Sequence, residues 1–125
     1  MKNNKYYQMN AIKLAYIGDA VFTLFVREYF LNNSEKTNRA LNKSVNAIVC
    51  AKNQANLLEE IRPELTEEET DIILRARNAH INNKAKNSTY SEYSLATQYE
   101  ALIGYLYLTK NKKLDKILNM AVKNV

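Results

Sequence analysis

Two acids stand alone in apolar surroundings. In "LAYIGDAVF", Leu14 to Phe22, Asp19 is the sole charge, and in "ATQYEALIGYLYL", Ala96 to Leu108, Glu100 is the sole charge. An ionised carboxylate is costly to bury unless something pairs with it. Neither has a base at the i±3 or i±4 spacing that would neutralise it locally. Small residues, Ala15 and Thr23, lie a turn on either side of Asp19, and each segment carries a mid-helix glycine, Gly18 or Gly104. Glycine costs helix propensity but admits a close neighbour. Brought together by the fold, the acids would repel unless a proton or a cation intervened. Mg²⁺ suits such a pair, since it prefers a few carboxylate oxygens completed by water and phosphate. Alternatively each acid pairs with a distant base, and Arg75 and Arg77 are the candidates.

The elements that must position these acids read as helices. The 125 residues fit one domain, 1–125, and are 46% hydrophobic with two Gly and one Pro. Periodic segments with few breakers indicate an all-α fold. Asn10 is an N-cap for a helix from Ala11 to about Leu31. A second helical stretch runs from about Lys36 to Ile61, with a break expected near "NKS" at 42–44. Thr66 and Glu69 form a capping box for a helix to about Asn78, which accounts for the acids of 64–71 without a metal. Residues 80–93 are polar and read as the longest loop. Helices from about Ser94 to Thr109 and from Lys113 to Asn124 follow.

Charge narrows the partner. The net charge is +5, and its excess falls at 74–94 and 110–125. Basic excess confined to segments suggests a polyanion such as nucleic acid. The single Cys50 excludes an internal disulfide and a thiolate cluster. The polar start "MKNNKYYQMN" lacks an apolar leader core, and no apolar run reaches the roughly 20 residues a membrane span needs. A cytoplasmic protein with no membrane role is expected.

"LAYIGDAVF" resembles the signature segment of the ribonuclease III endonuclease domain, and "YEALIGYLYL" resembles that family's second acidic motif. The length and "RARNAH" at 75–80 resemble the compact subfamily Mini-ribonuclease III, which lacks a double-stranded-RNA-binding domain. The resemblance implies an all-α homodimeric fold and Mg²⁺-dependent cleavage of double-stranded RNA, with Mn²⁺ able to substitute. Asp19 and Glu100 match the catalytic metal ligands. The natural substrate implied is precursor of bacterial large-subunit (23S) ribosomal RNA. Full-length ribonuclease III has two further acids where this chain has Ala15 and Thr97, as its compact subfamily also lacks them. Gln98 and Ala76 stand where the subfamily usually has glycine.

Double-stranded RNA is recognised by shape, through phosphates and 2′-hydroxyls. Lys84, Lys86, Asn87 and Ser88 in the loop are candidates for that contact. Arg75, Arg77 and Asn78 divide between substrate contact and structural support. His80 reads as a loop-edge residue that the chemistry does not need. The first helix, with Tyr16, Phe22 and Phe25, resembles the dimerisation region. The alternative function is a non-catalytic basic module that binds RNA, for which the acid pair would have no use.

Overall fold

The computed structural model describes residues 4–34, 36–80 and 90–125. Among them lie six α-helices and no strand: α1 Ala11–Asn32, α2 Asn38–Val49, α3 Ala51–Ile61, α4 Glu67–His80, α5 Tyr90–Leu108 and α6 Lys113–Met120. Local chemistry sets most of the ends. The Asn10 side chain accepts from the Ile12 and Lys13 amides at 2.7 and 3.4 Å, which starts α1 where expected. Thr66 and Glu69 exchange hydrogen bonds at 3.0 and 3.1 Å, completing the capping box of α4. Pro63 falls in a single 3₁₀ turn, Arg62–Glu64, that separates α3 from α4.

The break in the second helical stretch is at Cys50 rather than at "NKS". Cys50 is extended, at φ −67° and ψ 156°. The Asn53 amide reaches back to donate to the Ile48 carbonyl at 2.8 Å, satisfying one carbonyl left open by the end of α2. Neither Gly nor Pro marks the site. The turn after α5 also lacks a glycine. Lys110 takes φ 55° there, and the Asn111 amide bonds the Leu106 carbonyl at 2.9 Å, a Schellman closure.

Helix α5 is the centre of the fold and packs against α1, α3, α4 and α6. It is buried almost all round, through Ala96, Tyr99, Ala101, Leu102, Ile103, Tyr105 and Leu106. On one side Tyr99 meets Phe22 of α1 edge to face, with ring centroids 5.2 Å apart. Fully burying a side chain such as Phe22 contributes about 1.5–3 kcal/mol. On the other side Ala101 and Tyr105 join Leu14, Ala15, Ile72 and Ala76 in a second cluster.

Polar contacts tie down the segment around Tyr7 and the carboxy-terminal helix. Tyr7 donates its hydroxyl to Asp71 at 2.8 Å, and Arg75 donates to the Tyr7 carbonyl at 2.6 Å. At the other end Lys113, Lys116 and Lys123 pair with Glu69, Glu64 and Glu60 at 2.6, 2.7 and 3.2 Å. The basic tail that sequence charge assigns to a polyanion therefore spends three of its lysines on the chain's own acids.

Candidate active site

The two lone acids meet where α1 crosses α5. Gly18 faces the backbone of Glu100 and Gly104, and Gly104 in turn faces the backbone of Leu14 and Gly18. A Cβ on Gly18 would overlap the Glu100 carbonyl and lie 2.8 Å from the Gly104 nitrogen. The crossing therefore requires glycine on both helices, so that backbones rather than side chains touch. That approach sets Asp19, next to Gly18, beside Glu100, one turn before Gly104.

The carboxyl groups of Asp19 and Glu100 are in hydrogen-bond contact. Asp19 is exposed and Glu100 is half-buried. Burial, the Asp19 charge and the bond with Asp19 push Glu100 from an ordinary 4.5 up to about 8. Among the described residues no base pairs with either acid. One polar neighbour works the other way: Gln54 of α3 donates Nε2 to Glu100 Oε2 at 3.4 Å.

Such a pair holds either a shared proton or a cation. Its donors are hard oxygens and its like charges are unrelieved, which suits Mg²⁺ or Mn²⁺. The donor set is small. Among the described residues no three His, Cys, Asp or Glu side chains converge. Ala15 and Thr97, where further acids would stand in full-length ribonuclease III, are both buried. The Thr97 hydroxyl donates to the Tyr93 carbonyl at 3.1 Å. Gln98 is likewise buried and donates to Ser94 at 3.1 Å, and Ala76 is fully enclosed.

The other candidate residues are dispersed. Arg75 stacks its guanidinium 4.8 Å from the Tyr7 ring centre and lies 3.2 Å from Asp71, so it braces the amino-terminal segment and touches neither lone acid. Arg77 and Asn78 are exposed near the end of α4, joined at 3.5 Å. Lys84, Lys86, Asn87 and Ser88 lie outside the described residues. Phe22 is fully buried in the core, whereas Tyr16 is 79% exposed. Gln54 is a functional candidate that no sequence motif singles out. Its signal was its place three, four and seven residues before Leu57, Leu58 and Ile61, on the apolar stripe of α3.

Comparison with known proteins bears on the family and the fold. The family model described as "Ribonuclease III domain" matches residues 12–111. A protein of Enterococcus faecalis named Mini-ribonuclease 3 is 37% identical, over 96% of this chain and 93% of its own. Its namesake from Staphylococcus aureus is 38% identical, over 91% of this chain and 87% of its own. Among solved structures, a Fusobacterium nucleatum protein superposes with a TM-score of 0.82 at 37% identity, covering 92% of this chain and 93% of that one.

Proposed function

The chain belongs to the ribonuclease III family, and from that premise we propose that Asp19 and Glu100 are its catalytic metal ligands, at which double-stranded RNA is cut. Membership makes it an endoribonuclease, a hydrolase of phosphodiester bonds. The observation that carries the site assignment is the contact of two acids across a glycine crossing, with no base among the described residues to neutralise them.

We take the ion to be Mg²⁺, with Mn²⁺ as substitute. When bound, it lowers the pKa of a coordinated water and offsets charge on the phosphate. The chain's own residues do the rest. Asp19 presents its carboxylate at the surface, where a phosphate can approach. Glu100 holds its own from below, and Gly18 and Gly104 fix the spacing of the two helices. Lys84, Lys86, Asn87 and Ser88, with Arg77 and Asn78, are proposed to hold the duplex by its phosphates and 2′-hydroxyls. Arg75 would act indirectly, through the segment it braces.

We further propose a homodimer, in which two sites face the two strands of one duplex. What supports it is an apolar patch on α1: Tyr16, Leu24 and Leu31 are 79%, 59% and 66% exposed. Tyr107 of α5 extends it, flanking a shallow hollow with Ile17, Ala20, Val21 and Leu24. Several large apolar side chains exposed on one helix suit an interface. The natural substrate proposed is precursor of large-subunit ribosomal RNA, processed in the bacterial cytoplasm. No helix among the described residues is long and apolar enough to cross a membrane.

Cleavage of a labelled RNA duplex in Mg²⁺ and in chelator tests the reading. Cutting in Mg²⁺ alone is expected, and cutting that persists in chelator would refute the metal site. A non-catalytic RNA-binding module would have no use for the acid pair, and three of the five tail lysines that would serve it are paired internally.

A further inference from the structure

Helix α3 buries Gln54, Ala55, Leu57, Leu58 and Ile61 along one face. Four of these are apolar. The fifth is an amide only 2% exposed. Buried amides are retained where they have a hydrogen-bond partner, since an unpaired one is costly. The partner of Gln54 Nε2 is Oε2 of Glu100, at 3.4 Å. That distance is long, and such bonds in unloaded sites commonly tighten when the site is filled. Glu100 is thus held from two sides, by α1 at its backbone and by α3 at its carboxylate.

The choice of an amide is chemically informative. Lys or Arg at this position would neutralise Glu100 and repel a cation. Glu or Asp would add a third negative charge to an unrelieved pair. Leu would complete the apolar stripe and leave the carboxylate free to swing. Gln alone among these donates a hydrogen bond without changing the charge of the site. A carboxylate has about four lone-pair positions, so one donated bond leaves room for a metal. Metal-ligating carboxylates are themselves oriented by such outer partners.

We infer that Gln54 is a positioning residue that orients the Glu100 carboxylate for divalent-metal binding; this rests on the reading of Asp19 and Glu100 as the metal site. It follows that α3, which contributes no ligand, still sets the affinity of the site for its ion.

The test uses the full chain carrying Gln54→Met, which keeps the side chain's length and removes the donor, and Gln54→Asn, which withdraws the amide by one methylene. Mn²⁺ binding is followed by electron paramagnetic resonance without RNA. Duplex cleavage is followed against Mg²⁺ concentration, and thermal melting verifies the fold. Both variants should bind Mn²⁺ about tenfold more weakly. Half-saturation by Mg²⁺ should rise in step. KM for the duplex at saturating Mg²⁺ should stay within about twofold, and kcat should largely recover there, as expected when the metal alone has been loosened. A purely structural Gln54 would lower the melting temperature and kcat but leave the Mn²⁺ constant unmoved. Parental Mn²⁺ affinity in either folded variant overturns the inference. A parental protein that binds no Mn²⁺ overturns the metal-site reading itself, a different result from one that binds it indifferently to Gln54.

Discussion

At the scale of single residues, Glu100 carries the clearest consequence. In the folded, metal-free chain its carboxyl is raised from 4.5 to about 8 by burial and by Asp19. Between those values the folded state keeps a proton that the unfolded state has released. The stabilising contribution is full below pH 4.5, falls as pH rises through the window, and is gone above about 8. On the proposed metal-site reading a divalent cation binds the ionised pair, so the rise in melting temperature caused by Mg²⁺ should grow from about pH 6 to pH 8. Melting curves of the parental chain and of Glu100→Gln check this, and the variant should lose the Mg²⁺ effect at every pH. Tyr99 offers a separate test. Its hydroxyl is fully buried with no hydrogen-bond partner among the described residues, and burial raises its pKa. Tyr99→Phe removes an unpaired polar group while keeping the ring against Phe22. It should stabilise the chain by about 1 kcal/mol in urea denaturation.

At the scale of elements, the crossing of α1 and α5 decides whether there is a site. In an ordinary helix Gly→Ala stabilises by about 1 kcal/mol. Here Gly18→Ala and Gly104→Ala drive a methyl into the facing backbone. Each should instead destabilise by roughly 1–3 kcal/mol or more and depress cleavage by parting the acids. Urea titration gives the sign. The spacing of the lone acids and glycines leaves open whether the acids meet or each pairs with a distant base, and the family resemblance, not the spacing, points to the pair. The capping residues Asn10, Thr66 and Glu69 were legible, since their chemistry is local. What escaped was non-local. Gln54 lies among Asn53 and Asn56 and reads as one more solvated polar residue until the burial of α3 is known. The break at Cys50 depends on the side chain of Asn53 and not on a glycine or proline. Lys113, Lys116 and Lys123 count as free charge in a sequence, and only the packing of the tail shows which acids they meet.

At the scale of the whole molecule, the proposed homodimer would cover the exposed face of α1. A small monomer has little reason to leave Tyr16, Leu24 and Leu31 in water on one helix. Leu24→Glu should convert a dimer to a monomer in light scattering with little loss of fold, because Leu24 is 59% exposed. Phe22→Glu should unfold the chain instead, since Phe22 is fully buried.

The contact between Asp19 and Glu100 is proposed to be where RNA is cut. The most direct test is the rate at which Asp19→Asn, nearly isosteric and one charge poorer, cleaves a labelled RNA duplex in saturating Mg²⁺. A fall of at least about a hundredfold is expected, since one of the two proposed metal ligands loses its charge, with duplex affinity and assembly retained. Cleavage close to the parental rate would contradict the assignment.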